Sequence, residues 1–168
     1  VLTGSPNCTV SGNNVSKGKA ALLYFNQYSN YTIVEDNYFH DKALPSVDEQ
    51  IVIHWRSNVG SIFRRNLIVE TRNEAVDSVQ IVINHGGTDT TVPADGLIEN
   101  NTIIGGTGKS AIGFWRGTGF TIRNNIIQGF DKAIVELTDG ITSGMSIDYN
   151  DFYGYASALL YSSFFDVG

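Results

Sequence analysis

Residues 97–104 read LIENNTII and residues 120–127 read FTIRNNII. Both stretches set an apolar residue, two variable residues, an asparagine, one variable residue and a second apolar residue in the same order. The pattern recurs as Val10/Asn13/Val15, Val34/Asn37/Phe39, Phe63/Asn66/Ile68, Ile98/Asn101/Ile103, Ile122/Asn125/Ile127 and Ile147/Asn150/Phe152, with asparagine spacings of 24, 29, 35, 24 and 25 residues. A base period of about 24 residues marks a repeat architecture whose units stack on one another. Side chains of a strand alternate with period 2, so apolar residues five apart cannot both face one core along a straight strand. The chain must bend between them. Asparagine is expected at the bend because it tolerates left-handed torsions, and identical amides stacked one above another can hydrogen-bond as a ladder.

Between the copies lies a second pattern, a five-residue strand-like run: Ala21 to Phe25, Ile51 to Trp55, Ile81 to His85, Ala111 to Trp115, Ala133 to Leu137 and Ala158 to Ser162. Two short strands around each asparagine and a third from this run make one coil of a solenoid. The expectation is an all-β parallel β-helix of about six coils, with neighbouring strands about 4.8 Å apart. No helical periodicity competes with it, and a leucine-rich repeat would need a leucine spacing that is absent.

Composition agrees with one globular domain over residues 1–168, either mature or excised from a longer chain. Hydrophobic residues make up 42% of the 168, charged residues only 17%, and there are 18 glycines and fifteen asparagines. The formal charge of -6 has the wrong sign for a general nucleic-acid binder. No apolar run is long enough for a membrane-spanning helix. The single cysteine, Cys8, can form neither an internal disulfide nor a multi-thiolate metal site. Four glycosylation sequons, at Asn7, Asn14, Asn30 and Asn100, are expected by chance in so amide-rich a chain.

Through TIVEDNYF (32–39), LIENNTII, FTIRNNII and SIDYNDFY (146–153), the chain resembles the right-handed parallel β-helix proteins of the pectin-lyase-like superfamily over residues 8–163. The resemblance implies a right-handed coil, carbohydrate as ligand, and a secreted or cell-surface location. The strings are the generic coil repeat, shared by lyases, hydrolases and non-catalytic adhesins, so they specify fold more than chemistry. Carboxylates in the loops could hold calcium, as the resemblance to β-helix lyases implies, but no motif for it is recognisable here.

Insertions point to where a site would lie. The distance from each ladder asparagine to the next five-residue run is 8, 14, 15, 10, 8 and 8 residues, so the second and third coils carry long loops, His40 to Gln50 and Glu70 to Gln80. A further insertion, Gly86 to Asp95, leaves the other end of its run. Long loops on a rigid scaffold are common seats of binding. The second position of the runs is uniformly aliphatic (Leu22, Val52, Val82, Ile112, Ile134, Leu159), which reads as core. That register exposes Phe25, Trp55, His85 and Trp115 as an aromatic stripe beside Arg56 and Arg116, and turns Glu136 inward. The opposite register would bury the tryptophans. An exposed stripe suits a sugar: Trp55 and Trp115 would stack on the ring and Arg56 would grip an acidic group. For lyase chemistry, Arg116 or His85 would act as base and Glu74 as proton donor or metal ligand. Hydrolysis would instead need two facing carboxylates. Two readings therefore stand, a polysaccharide lyase or hydrolase and a non-catalytic glycan-binding or structural β-helix, with self-association through coil ends or sides open to both. Arg64, Arg65 and Arg123 fall near corners of another face, where pairing with neighbours such as Glu99 is expected. GGTGKS at 105–110 lacks phosphate-loop spacing, and its glycines are expected to serve a turn.

Overall fold

The computed structural model describes residues 1–19, 21–43, 51–70, 78–84, 91–106, 109–137, 142–154, 157–160 and 165–166. Within them the chain is an all-β parallel solenoid of about 5 turns. The first sheet stacks Thr9–Ser11, Ile33–Glu35, Ile62–Arg64, Leu97–Glu99, Thr121–Arg123, Met145–Asp148 and Phe165–Asp166. The second stacks Asn14–Ser16, Tyr38–His40, Leu67–Val69, Thr102–Ile104, Ile126–Gln128 and Asp151–Tyr153. The third stacks Leu23–Phe25, Ile53–Arg56, Ser78–Asn84, Lys109–Phe114, Lys132–Glu136 and Ser157–Leu160. Every neighbour pair in these sheets is parallel and comes from successive coils.

The corner between the first and second sheets is where the sequence pattern becomes geometry. Strand centres Val34, Phe63, Ile98 and Ile122 face inward from the first sheet, and Phe39, Ile68, Ile103 and Ile127 from the second, each at most 2% exposed. Asn37, Asn66, Asn101 and Asn125 sit between them. Each side-chain Nδ2 donates to Oδ1 of the next ladder asparagine, over 2.9 to 3.1 Å from Asn13 through to Asn150. Each Oδ1 also accepts the backbone N–H of the preceding ladder asparagine. From Asn37 onward, Nδ2 donates as well to a carbonyl one coil back, as Asn66 does to Val34 at 2.9 Å. The bend itself belongs to the residue before. Gly12, Asp36, Arg65, Asn100, Asn124 and Tyr149 have φ of 67, 58, 52, 56, 54 and 53°, whereas no ladder asparagine has positive φ. The asparagine is thus selected for its amide and not for its torsion.

The third sheet corrects the column alignment expected from the five-residue runs. Leu23, Ile53, Ile81, Ile112, Ile134 and Leu159 share one column, and Phe25, Trp55, Ile83, Phe114 and Glu136 the next inward one. The third run is therefore displaced by two residues against the second, and the fourth by one against the third. The cause is a break in alternation, because consecutive residues Val52/Ile53, Ala111/Ile112 and Ala133/Ile134 all belong to the core. Trp55 and Phe25 are 0% exposed with ring centroids 4.7 Å apart. They are core and not an exposed stripe. Phe120 packs edge-on against both Trp55 and Phe114, at 5.3 Å each.

On the outer side of the first sheet, one column reads Glu35, Arg64, Glu99, Arg123, Asp148, alternating in sign. Arg64 and Arg65 both reach Glu35 at 2.8 Å, Arg65 reaches Asp36 at 2.9 Å and Arg123 reaches Glu99 at 2.9 Å. The expected pairing of these arginines is what the structure contains. Gly105 has a reason beyond a turn, since a Cβ there would run into the Phe130 ring.

Candidate functional site

The outer face of the third sheet carries the candidate site. One outward column runs Tyr24, His54, Val82, Gly113, Val135. Next to it lie Arg56 and Asn84, paired across the sheet, with Trp115 level with Asn84 through its N–H to the Ile83 carbonyl. The shift in register explains why Trp115 faces out at 44% exposure while Trp55, at the same place in its run, faces in. Arg116 follows Trp115 and is half-buried. Trp115, Arg116 and Arg56 are thus on or beside one face, and Trp55 is on its opposite side. His85 and Glu74 lie outside the described residues.

His54 was not singled out by the sequence, because the assumed register turned it inward. Its neighbours Ile53 and Trp55 are both 0% exposed, which leaves the imidazole on the outer side. The ring lies 4.4 Å from that of Tyr24, and the residue is 6% exposed. Neither ring nitrogen has a hydrogen-bond partner among the described residues. Burial, and then the charge of Arg56, push its pKa down to about 4, so the neutral imidazole prevails at neutral pH. Arg56 donates from Nη1 to the Tyr24 hydroxyl at 3.2 Å, while its Nε is buried without a partner among the described residues. A neutral imidazole, a phenol and a guanidinium therefore meet on neighbouring rungs of adjacent coils. The signal that could have revealed them is the outward column itself, which becomes legible once Ile53 and Trp55 are recognised as core.

Arg56 puts a positive charge on the rungs of this face. Among the described residues, no rung position of the outer face is a carboxylate, and Glu136 turns inward to accept the Thr142 hydroxyl at 2.6 Å. Glu70, one of the loop carboxylates, is 4% exposed and accepts the Lys42 backbone N–H at 2.9 Å. Asp41 binds Nδ1 of His40 at 2.9 Å. No three His, Cys, Asp or Glu side chains converge among the described residues, and the loop carboxylates Asp48, Glu49, Glu74 and Asp77 lie outside them. No helix of the described residues is long and apolar enough to cross a membrane. Compared with known protein families, curated proteins and solved structures, the chain matches none.

Proposed function

We propose that the chain is a carbohydrate-active β-helix that takes an acidic polysaccharide on the outer face of its third sheet and cleaves it by β-elimination. The observation that carries this reading is His54, a neutral imidazole with both nitrogens unpartnered among the described residues, set beside Tyr24 and Arg56. Elimination needs a base for the proton α to a uronate carboxylate, a cation to hold the charge that moves onto that carboxylate, and an acid for the leaving oxygen. His54 takes the C5 proton, Arg56 and Arg116 hold the carboxylate, and the Tyr24 hydroxyl protonates O4 as the C4–O bond breaks and the C4=C5 bond forms. A carboxylate seated on Arg56 offsets the charge that depresses His54 and so strengthens the base during binding. The lack of outward carboxylates among the described rung positions disfavours hydrolysis there, which needs two. The resemblance to pectin-lyase-like proteins, and the secreted or cell-surface location it implies, belong to the same proposal.

Incubation with polygalacturonate, alginate and a neutral glucan, followed by ultraviolet absorbance of unsaturated ends and by new reducing ends, tests it. Absorbance on a uronate polymer that disappears in His54→Gln and Tyr24→Phe is the expected result. Reducing ends without absorbance would replace elimination by hydrolysis. A second reading, glycan binding without cleavage, draws on the exposure of Trp115 against the burial of His54. It predicts no cleavage and binding that Trp115→Ala removes.

A further inference from the structure

A second site lies at the ladder corner, on another side of the molecule. Here Gly12, Asp36 and Arg65 form the left-handed column, Asn13 and Asn37 the ladder, and Asn14, Tyr38 and Leu67 the first outward column of the second sheet. Together they line a cleft of about 480 Å3. That volume falls in the range of small-ligand sites. The cleft has a local cause. Other coils place Asp, Arg, Asn, Asn or Tyr in the left-handed column, whereas the first coil has glycine, and a Cβ built on Gly12 would meet nothing within 4 Å.

The chemistry of the lining is specific. Arg65 meets Asp36 through two contacts of 2.9 Å and Glu35 through one of 2.8 Å, while Arg64 also pairs with Glu35, so two cations and two anions cancel at the rim. The cleft therefore offers no net charge to a ligand, in contrast to the described rungs of the third sheet, where no carboxylate faces outward beside Arg56. Asn14 accepts from or donates to Nε2 of His40 through Oδ1 or its flipped amide, 2.6 Å away, which fixes the side chain. Its other amide atom, Oδ1 of Asn13 and the Tyr38 hydroxyl have no protein hydrogen bond among the described residues. Tyr38 is held by stacking on His40, with ring centroids 4.2 Å apart and an 18° interplanar angle. Leu67, 36% exposed on the next coil, adds an apolar surface.

We propose that this cleft binds an uncharged pyranose unit of a glycan, with the C–H face against Tyr38 and Leu67 and the hydroxyls on the amides of Asn13 and Asn14. Fixed amides plus an aromatic ring, without net charge, match a sugar hydroxyl array and give a uronate no advantage. The site is separate from the proposed cleavage face and does not depend on cleavage occurring.

Calorimetric titration of the wild-type chain with cellohexaose, mannohexaose and a galacturonate hexamer, repeated on Gly12→Arg, Tyr38→Ala and Trp115→Ala, decides it. Gly12→Arg places in the cleft a side chain that the same column already carries as Arg65, at a φ of 67° against 52°, and it takes on the strain of a left-handed residue with a Cβ; circular dichroism checks that the fold is kept, and Tyr38→Ala tests the cleft without that strain. The expected result is binding of a neutral hexamer that weakens by about tenfold or more in Gly12→Arg and Tyr38→Ala and is unchanged in Trp115→Ala. Absence of binding by both neutral hexamers overturns the proposal. So does neutral binding that Gly12→Arg and Tyr38→Ala leave intact, or that Trp115→Ala abolishes. Loss of uronate cleavage with neutral binding retained would fail only the third-sheet reading.

Discussion

At the ladder corner, Asn66 and Asn101 place both ends of their amides against neighbouring coils, with every contact between 2.9 and 3.1 Å. On the outer face of the third sheet, no described residue engages either ring nitrogen of His54 or the Nε of Arg56. Both regions are assembled from rungs of the same solenoid. The difference is that the corner repeats in every coil, so each polar group finds its copy as a partner, whereas the third sheet changes register between coils and sets unlike residues beside one another. Repetition satisfies polar groups internally. Its interruption leaves buried polar groups that no described neighbour matches.

The two tryptophans give the largest test of that contrast. Trp55→Ala should cost about 3–5 kcal/mol by opening a cavity beside Phe25 and Phe120. Trp115→Ala, on the exposed side of the same sheet, should change stability by only about 0.5 kcal/mol. Urea denaturation of the two variants measures both, and equal losses would refute the inward and outward assignment.

Removal of a ladder amide ranks next. Asn101→Ala leaves the buried Asn66 N–H without its acceptor, at about 1–3 kcal/mol for the group left unpaired, and also removes the bond to the Phe63 carbonyl. Asn13→Ala, at the exposed first coil, should lose about 1 kcal/mol or less. A similar loss in the two would mean that the ladder contributes locally and gains nothing from its neighbours.

A pH series sharpens the other side of the comparison. His54 has a folded pKa of about 4 against an ordinary 6.5, so the unfolded chain binds the extra proton first as pH falls. Its contribution is complete above pH 6.5 and is lost on the way down to about 4, amounting to about 3 kcal/mol over that window. His54→Gln should flatten this part of the stability profile. The carboxyls of Glu35 and Asp36, held below their ordinary values first by hydrogen bonds from Arg64 and Arg65 respectively, lose their contribution at still lower pH. An unchanged slope between pH 6.5 and 4 in the variant would remove His54 as its source.

The smallest effect is expected on the alternating charge column. Arg123 is about half exposed at its side chain, and Arg123→Ala should cost about 0.2–1 kcal/mol, shrinking further with salt. A loss above 2 kcal/mol would show that the column acts as a cooperative network.

The ladder, its spacing and the apolar residues flanking it were legible because they repeat with the coil and need no knowledge of the loops. Even there, the left-handed torsion was assigned to the asparagine when it falls on Asp36, Arg65 or Asn100 just before it. The third sheet was less legible. Its runs are entered through insertions of unequal length, and adjacent inward residues such as Ala111 and Ile112 defeat a period-2 reading. The face that exposes Trp115 was therefore extended wrongly to Trp55, and His54 was hidden on the inside. The ladder-corner cleft was missed for a different reason: it arises from one small residue, Gly12, in a column read only for its bend.

The bonds from one ladder amide to another all run in one direction, from each coil to the next. A segment running from one ladder asparagine to the residue before the next, such as 101–124, consequently presents an acceptor at its front and a donor at its back. Tandem duplication of that segment would reproduce both junctions without altering either neighbour. The ladder thus makes length an inheritable variable, adjustable by whole coils through gene duplication, while the face built on the irregular rungs can diverge independently.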